Sequence, residues 1–77
     1  MPIPICDLQE GVTATVRELR GGLGFQRQLR TMGIREGKTI RIVTRHPFGG
    51  PVVVEVDGKM TTLGQGIAGR ILVEPQQ

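Results

Sequence analysis

Residues 24–37 read GFQRQLRTMGIREG. Phe25, Leu29 and Met32 recur at spacings of four and three, so they fall on one side of a helix. The spacing predicts a helix over residues 24–32, roughly two and a half turns and too short to persist alone in water. Gly33 follows where a helix needs a left-handed residue to stop. Ile34 can then fold back onto the same apolar side, and Glu36-Gly37 reads as the turn that launches the next strand. This helix has to be clamped onto something. Almost everything else in the chain alternates with a period of two, so the clamp is a β-sheet.

Outward from the helix, residues 12–19 (VTATVREL) put Val12, Ala14 and Val16 on one face and Thr13, Thr15 and Arg17 on the other. Leu19 breaks the phase, which marks a bulge or the strand's end. Arg20-Gly21-Gly22 is a loop free to adopt positive φ. On the other side, residues 38–45 (KTIRIVTR) send Ile40, Ile42 and Thr44 one way and Arg41 and Arg45 the other, adding to an exposed basic surface. HPFGGP (46–51) is a breaker-rich connection, with Phe48 either at its tip or tucked under it. Residues 52–57 (VVVEVD) give the strongest strand signal, with Val52, Val54 and Val56 inward. Asp57-Gly58 is a two-residue hairpin turn of mirror type, and KMTTL (59–63) returns antiparallel. Residues 64–69 allow one helical turn that carries Ile67 and Ala68 inward, and residues 70–73 close the fold. At the start, Asp7 is placed to cap a single turn through Leu8 and Gln9. The tail Gln76-Gln77 should fray. The expected fold is mainly β: one domain over residues 1–77, a small barrel of five or so antiparallel strands with one short inserted helix. Closure would remove exposed edges.

The chain of 77 residues has room for one modest aliphatic core, with two phenylalanines and one cysteine. A disulfide framework is excluded. Ten Lys/Arg against seven Asp/Glu leave a net charge of +3, which permits an acidic partner without requiring one. Arginine outnumbers lysine eight to two, and its planar fork suits carboxylates and phosphates. The N-terminus MPIPICDL lacks the basic and apolar regions of a signal peptide. No window approaches a transmembrane span of about 20 apolar residues. A cytosolic protein is expected, able to work at the inner membrane surface by docking to something embedded there.

No catalytic set stands out. Serine is absent, which excludes serine hydrolysis. Nothing in the pattern brings the Cys6 thiol to the His46 imidazole. The glycine pairs at 21–22 and 49–50 lack the phosphate-loop arrangement. Cys6, Asp7, Glu10 and His46, with Glu55 and Asp57 as further carboxylates, are the metal-ligand types present, and they lack the paired spacing of a closed zinc site. That leaves metal binding open only as a bridge between copies, and no cofactor is implied. A nucleic-acid-binding barrel is the other alternative, but aromatic stacking platforms and a helix-turn-helix are both missing. Protein interaction remains. Its candidate contacts are Arg27 and Arg30 on the outward face of the helix, Gly22 in the glycine loop, and Phe48. Phe48 is an apolar anchor if its loop exposes it and a pin for that loop if buried. An open β-edge would also allow a homo-oligomer.

Residues 8–11, residues 27–29 and Met32-Gly33-Ile34-Arg35-Glu36-Gly37 together resemble the ferrous iron transport protein A (FeoA) family. Pro51-Val52-Val53-Val54 ahead of the glycine-turned hairpin, Leu63 with Ile67-Ala68, and Ile71 with Val73 agree in order and spacing. The most specific piece is L-x-x-(M/L)-G-I-x-x-G over residues 29–37. The resemblance covers nearly the whole chain. It implies an SH3-like barrel with an inserted helix. It also implies a cytosolic, non-catalytic accessory protein beside a membrane ferrous iron permease that carries a cytosolic GTP-binding domain. A related domain ends some iron- and manganese-dependent repressors, whose DNA-binding and metal-binding domains have no room here. The resemblance supplies no iron-ligand residues.

Overall fold

The structure, a computed structural model, describes residues 1–76. The strands are β1 (Ile3–Pro4), β2 (Thr13–Leu19), β3 (Thr39–Arg45), β4 (Val52–Val56), β5 (Lys59–Leu63) and β6 (Ile71–Pro75). Helix α1 (Leu23–Thr31) follows β2, the one-turn helix α2 (Gln65–Ala68) follows β5, and a 3₁₀ turn (Ile5–Asp7) follows β1. All pairings are antiparallel, in the order β1-β6-β2-β3-β4-β5.

This order corrects the barrel expectation. The SH3-like barrel of five or so strands is instead an open sheet of six, with β1 and β5 as its edges. Closure would need a ladder between β1 and β5. β1 is only two residues long, and Pro4, having no N–H, cannot donate to such a ladder. The 3₁₀ turn and α2 pack together.

The core follows the alternation. Ala14, Val16, Ile40, Ile42, Val52, Val54, Val56 and Leu63 are buried, joined by Ile5, Leu29, Ile34, Ile71 and Val73. The break at Leu19 is real. The β2–β6 register shifts between Val16 and Glu18, which lets Leu19 return to the buried side. A second shift, between Ile42 and Thr44, was not visible in the alternation of β3.

The stop of α1 behaves as its sequence predicts. Gly33 has φ +84°. Its N–H donates to the Arg30 carbonyl at 3.0 Å, and the Ile34 N–H donates to the Leu29 carbonyl at 2.9 Å. These two bonds form a Schellman stop, whose apolar contact pairs the residue after the glycine with the last turn of the helix. Leu29 and Ile34 are both buried. Burying one such side chain contributes about 1.5–3 kcal/mol, which is what holds so short a helix on the sheet. At the hairpin, Asp57 and Gly58 have φ +53° and +79°, the mirror-type turn expected there.

Three local expectations fail. Asp7 does not open a helical turn; it ends one, which starts at Ile5 and carries that side chain into the core. Gly21 and Gly22 do not use positive φ; a side chain at 21 would collide with the Phe25 ring. Gln76 does not fray. Its backbone N–H donates to the Thr13 carbonyl at 2.9 Å and its amide reaches the Thr15 hydroxyl at 3.1 Å. Gln77 lies outside the described residues.

Candidate protein-interaction site

The candidate contact residues divide between two places. Gly22, in extended conformation, is the N-cap of α1. Arg27 and Arg30 are exposed on its outer face. Phe48 is fully exposed at the tip of the β3–β4 loop, with φ +59°. That backbone region is costly for a bulky residue. The Arg30 end of α1 faces Val56, and the loop of Phe48 faces Val52. The five residues of β4 therefore separate them, about 13 Å at the usual strand rise. The structure does not join Phe48 to the arginines.

Accounting for the cations sharpens the first place. Arg17 pairs with Glu74 at 2.7 Å, Arg20 with Glu18 at 3.1 Å and Lys38 with Asp57 at 2.8 Å. Arg41, opposite Glu55 in the ladder, donates Nε and Nη2 to one carboxylate oxygen at 2.9 and 2.7 Å. Arg45 donates to the Leu8 carbonyl at 2.9 Å, and Arg70 lies over the Phe25 ring at 5.6 Å. Arg41 is thus neutralised, and of the basic surface expected on β3 there remains Arg45, exposed and bound only to a carbonyl. Among the described residues, Arg27, Arg30, Arg35 and Lys59 make no ion pair. They fall on α1, the turn after it and the β4–β5 hairpin.

Two exposed apolar side chains join this region and were missed in the sequence. Leu23, 71% exposed, precedes Arg27 by one helical turn, so Leu23, Arg27 and Arg30 form one stripe. Met60, 64% exposed, borders a groove of about 340 Å³ with Arg30, Met32, Asp57 and Lys59. The spacing 23–27–30 could have revealed the first. The second depends on how β5 sits against α1.

At the other end, a groove of about 580 Å³ is lined by Cys6, Glu10, Arg45, His46, Phe48 and Gln65, among others. It brings Cys6 and His46 to one surface, a meeting that their spacing in the chain does not suggest. Their chemistry is not coupled, because the Cys6 thiol points at Asp7 Oδ1, 3.9 Å away. Burial, and then the Asp7 carboxylate, push that thiol above its ordinary pKa, so it stays protonated and a poor nucleophile or ligand at neutral pH. Glu10 is occupied in accepting the Arg45 backbone N–H at 2.9 Å. Among the described residues, no group of three or more His, Cys, Asp or Glu side chains is gathered to hold a metal. No helix among them is long and apolar enough to cross a membrane.

Comparison with known proteins agrees with this surface-dominated picture. A FeoA domain matches residues 3–75. A candidate Fe(2+) transport protein A of Methanocaldococcus jannaschii is 30% identical over 71 residues, 92% of this chain and 84% of that one. The crystal structure of an iron uptake regulatory protein (FeoA) superposes with a TM-score of 0.91 at 32% identity, covering 99% of this chain and 100% of that one. A manganese-dependent transcriptional repressor is similar over 97% of this chain but only 42% of its own, with a TM-score of 0.86 and 25% identity. With a family match over nearly its whole length and a full-length structural counterpart, this chain belongs to the FeoA family of non-enzymatic adaptor and regulatory proteins.

Proposed function

We propose that this chain is a cytosolic accessory protein of ferrous iron uptake that regulates the membrane ferrous iron permease by direct contact, at the permease's cytosolic GTP-binding domain. The observation that carries this reading is the combination of FeoA membership over residues 3–75 with unpaired Arg27 and Arg30 on the exposed face of α1. An arginine already engaged by a neighbouring carboxylate has to give up that pair before it can bind a partner. A free one forms a charge-assisted fork without that cost. Gly22 leaves the N-terminal end of the helix unobstructed, and Leu23 supplies apolar area beside the charges. Phe48, at the other end of β4, stands outside this contact.

The test is co-purification of the intact permease from membranes with the purified chain, with and without guanine nucleotide. Arg27→Glu with Arg30→Glu should weaken association at least tenfold and steepen its loss with salt. Undiminished association of the double variant would remove the helix face from the interface.

A further inference from the structure

Strand β5 is a free edge with a defined set of unused backbone groups. Its partners in the ladder are Val56↔Lys59, Val54↔Thr61 and Val52↔Leu63, alternating with Glu55↔Met60 and Val53↔Thr62. A two-residue turn makes the flanking pair hydrogen-bonded, so Lys59, Thr61 and Leu63 face β4 with their N–H and C=O groups. Met60 and Thr62 therefore direct theirs away from the sheet, and neither makes a backbone bond to a loop or turn. Beside this edge lies the groove bordered by Arg30, Met32, Val56, Asp57, Lys59 and Met60. Its one carboxylate is already held by Lys38 at 2.8 Å, while Arg30 and Lys59 make no ion pair among the described residues.

From these features we infer that β5 receives an extended acidic segment of a protein partner as a seventh strand. Alternating N–H and C=O groups at strand spacing are matched by another polypeptide backbone, not by a nucleic acid or a lipid surface. The side chains of an added strand alternate. One set continues the inner face of β5 over the groove, where an aliphatic residue meets Met32 and carboxylates meet Arg30 and Lys59. Those free cations select an acidic segment over a neutral one. A second copy of this chain answers them poorly, because its own β5, KMTTL, carries no carboxylate.

This inference rests on the proposed contact with the permease and adds where and how it forms. The experiment measures binding of the intact permease in detergent to the full chain and to three variants, with circular dichroism of each as a check on folding. Thr62→Pro removes an outward N–H and leaves the β4 ladder intact; it should weaken binding at least tenfold. Lys59→Glu, a change at an exposed side chain, should weaken it about tenfold. Phe48→Ala, at the far end of β4, should leave it unchanged. If the unaltered chain binds and Lys59→Glu and Thr62→Pro bind equally well, the strand-addition inference is overturned while the proposed function stands. The same holds if Phe48→Ala alone abolishes binding, or if Thr62→Pro only converts a dimer of this chain to a monomer. If the unaltered chain does not bind the permease, both readings fall together.

Discussion

β1, at one edge of the sheet, is two residues long, ends in Pro4 and runs straight into a 3₁₀ turn that buries Ile5. β5, at the other, runs five residues without a proline and starts from the exposed Asp57-Gly58 hairpin turn. Short length, proline and a covering turn are how soluble proteins guard an edge against unwanted pairing. β5 has only Lys59 to serve that purpose. The difference teaches that an unguarded edge is not an inevitable by-product of a small open sheet, since the same chain guards its other edge thoroughly. An exposed edge left in place beside free cations is better read as a receiving surface than as an oversight.

The guarded edge should be the energetically committed one. Ile5 is fully enclosed, so Ile5→Ala should cost about 2–5 kcal/mol, read as a lower midpoint in urea denaturation with little change in slope. A loss below about 1 kcal/mol would mean that the N-terminal segment contributes little to the core. The contrast between the edges would then weaken.

Neighbouring prolines in β5 test the open edge more finely. Thr61→Pro removes an N–H that faces β4 and leaves the Val54 carbonyl without its donor, an expected loss of about 1–3 kcal/mol. Thr62→Pro removes one that faces away, and its effect on stability should stay within about 0.5 kcal/mol. Comparable losses at both positions would show that the hydrogen-bonded alternation of β5 is not the one assigned, and the outward groups of Met60 and Thr62 would not exist.

What the sequence disclosed follows from the range of the interactions involved. The stop of α1 depends on residues 29–34, all within one and a half turns of each other, so Gly33 and Ile34 could be read directly. The inward valines of β4 and the Asp57-Gly58 turn are equally local. Edge identity is not local: it depends on β6 inserting between β1 and β2, a pairing of segments from opposite ends of the chain. That is why a closed barrel was expected and an open sheet was found. The free cations are hidden for the same reason. Arg17 is neutralised by Glu74, 57 residues away, and Arg41 by Glu55, 14 away. Only the register reveals that Arg27 and Arg30 are left over. Arg27 and Arg30 were nonetheless identifiable as outward by helical spacing, while Lys59 and Met60 became interesting only once the groove existed.

The electrostatic side of the comparison gives the smallest effect. At the guarded edge, burial and Asp7 raise the Cys6 thiol. At the open edge, Asp57 is held below its ordinary 3.8, first by the hydrogen bond from Lys38, then by that ammonium's charge, with Arg35 and Lys59 adding less. A carboxyl with a lowered folded pKa stabilises the fold above its unfolded value, and that contribution is lost as pH falls below 3.8 and through the folded pKa. Asp57 is exposed, so the effect on stability is small and the titration itself is the better measurement. By carboxyl NMR, Lys38→Met should move the Asp57 midpoint up towards 3.8, and Lys59→Met should move it less. If Lys59→Met raises it as much as Lys38→Met, Lys59 is already committed to Asp57. The groove would then have lost one of the two free cations that favour an acidic strand, and β5 would be an edge guarded by its own lysine.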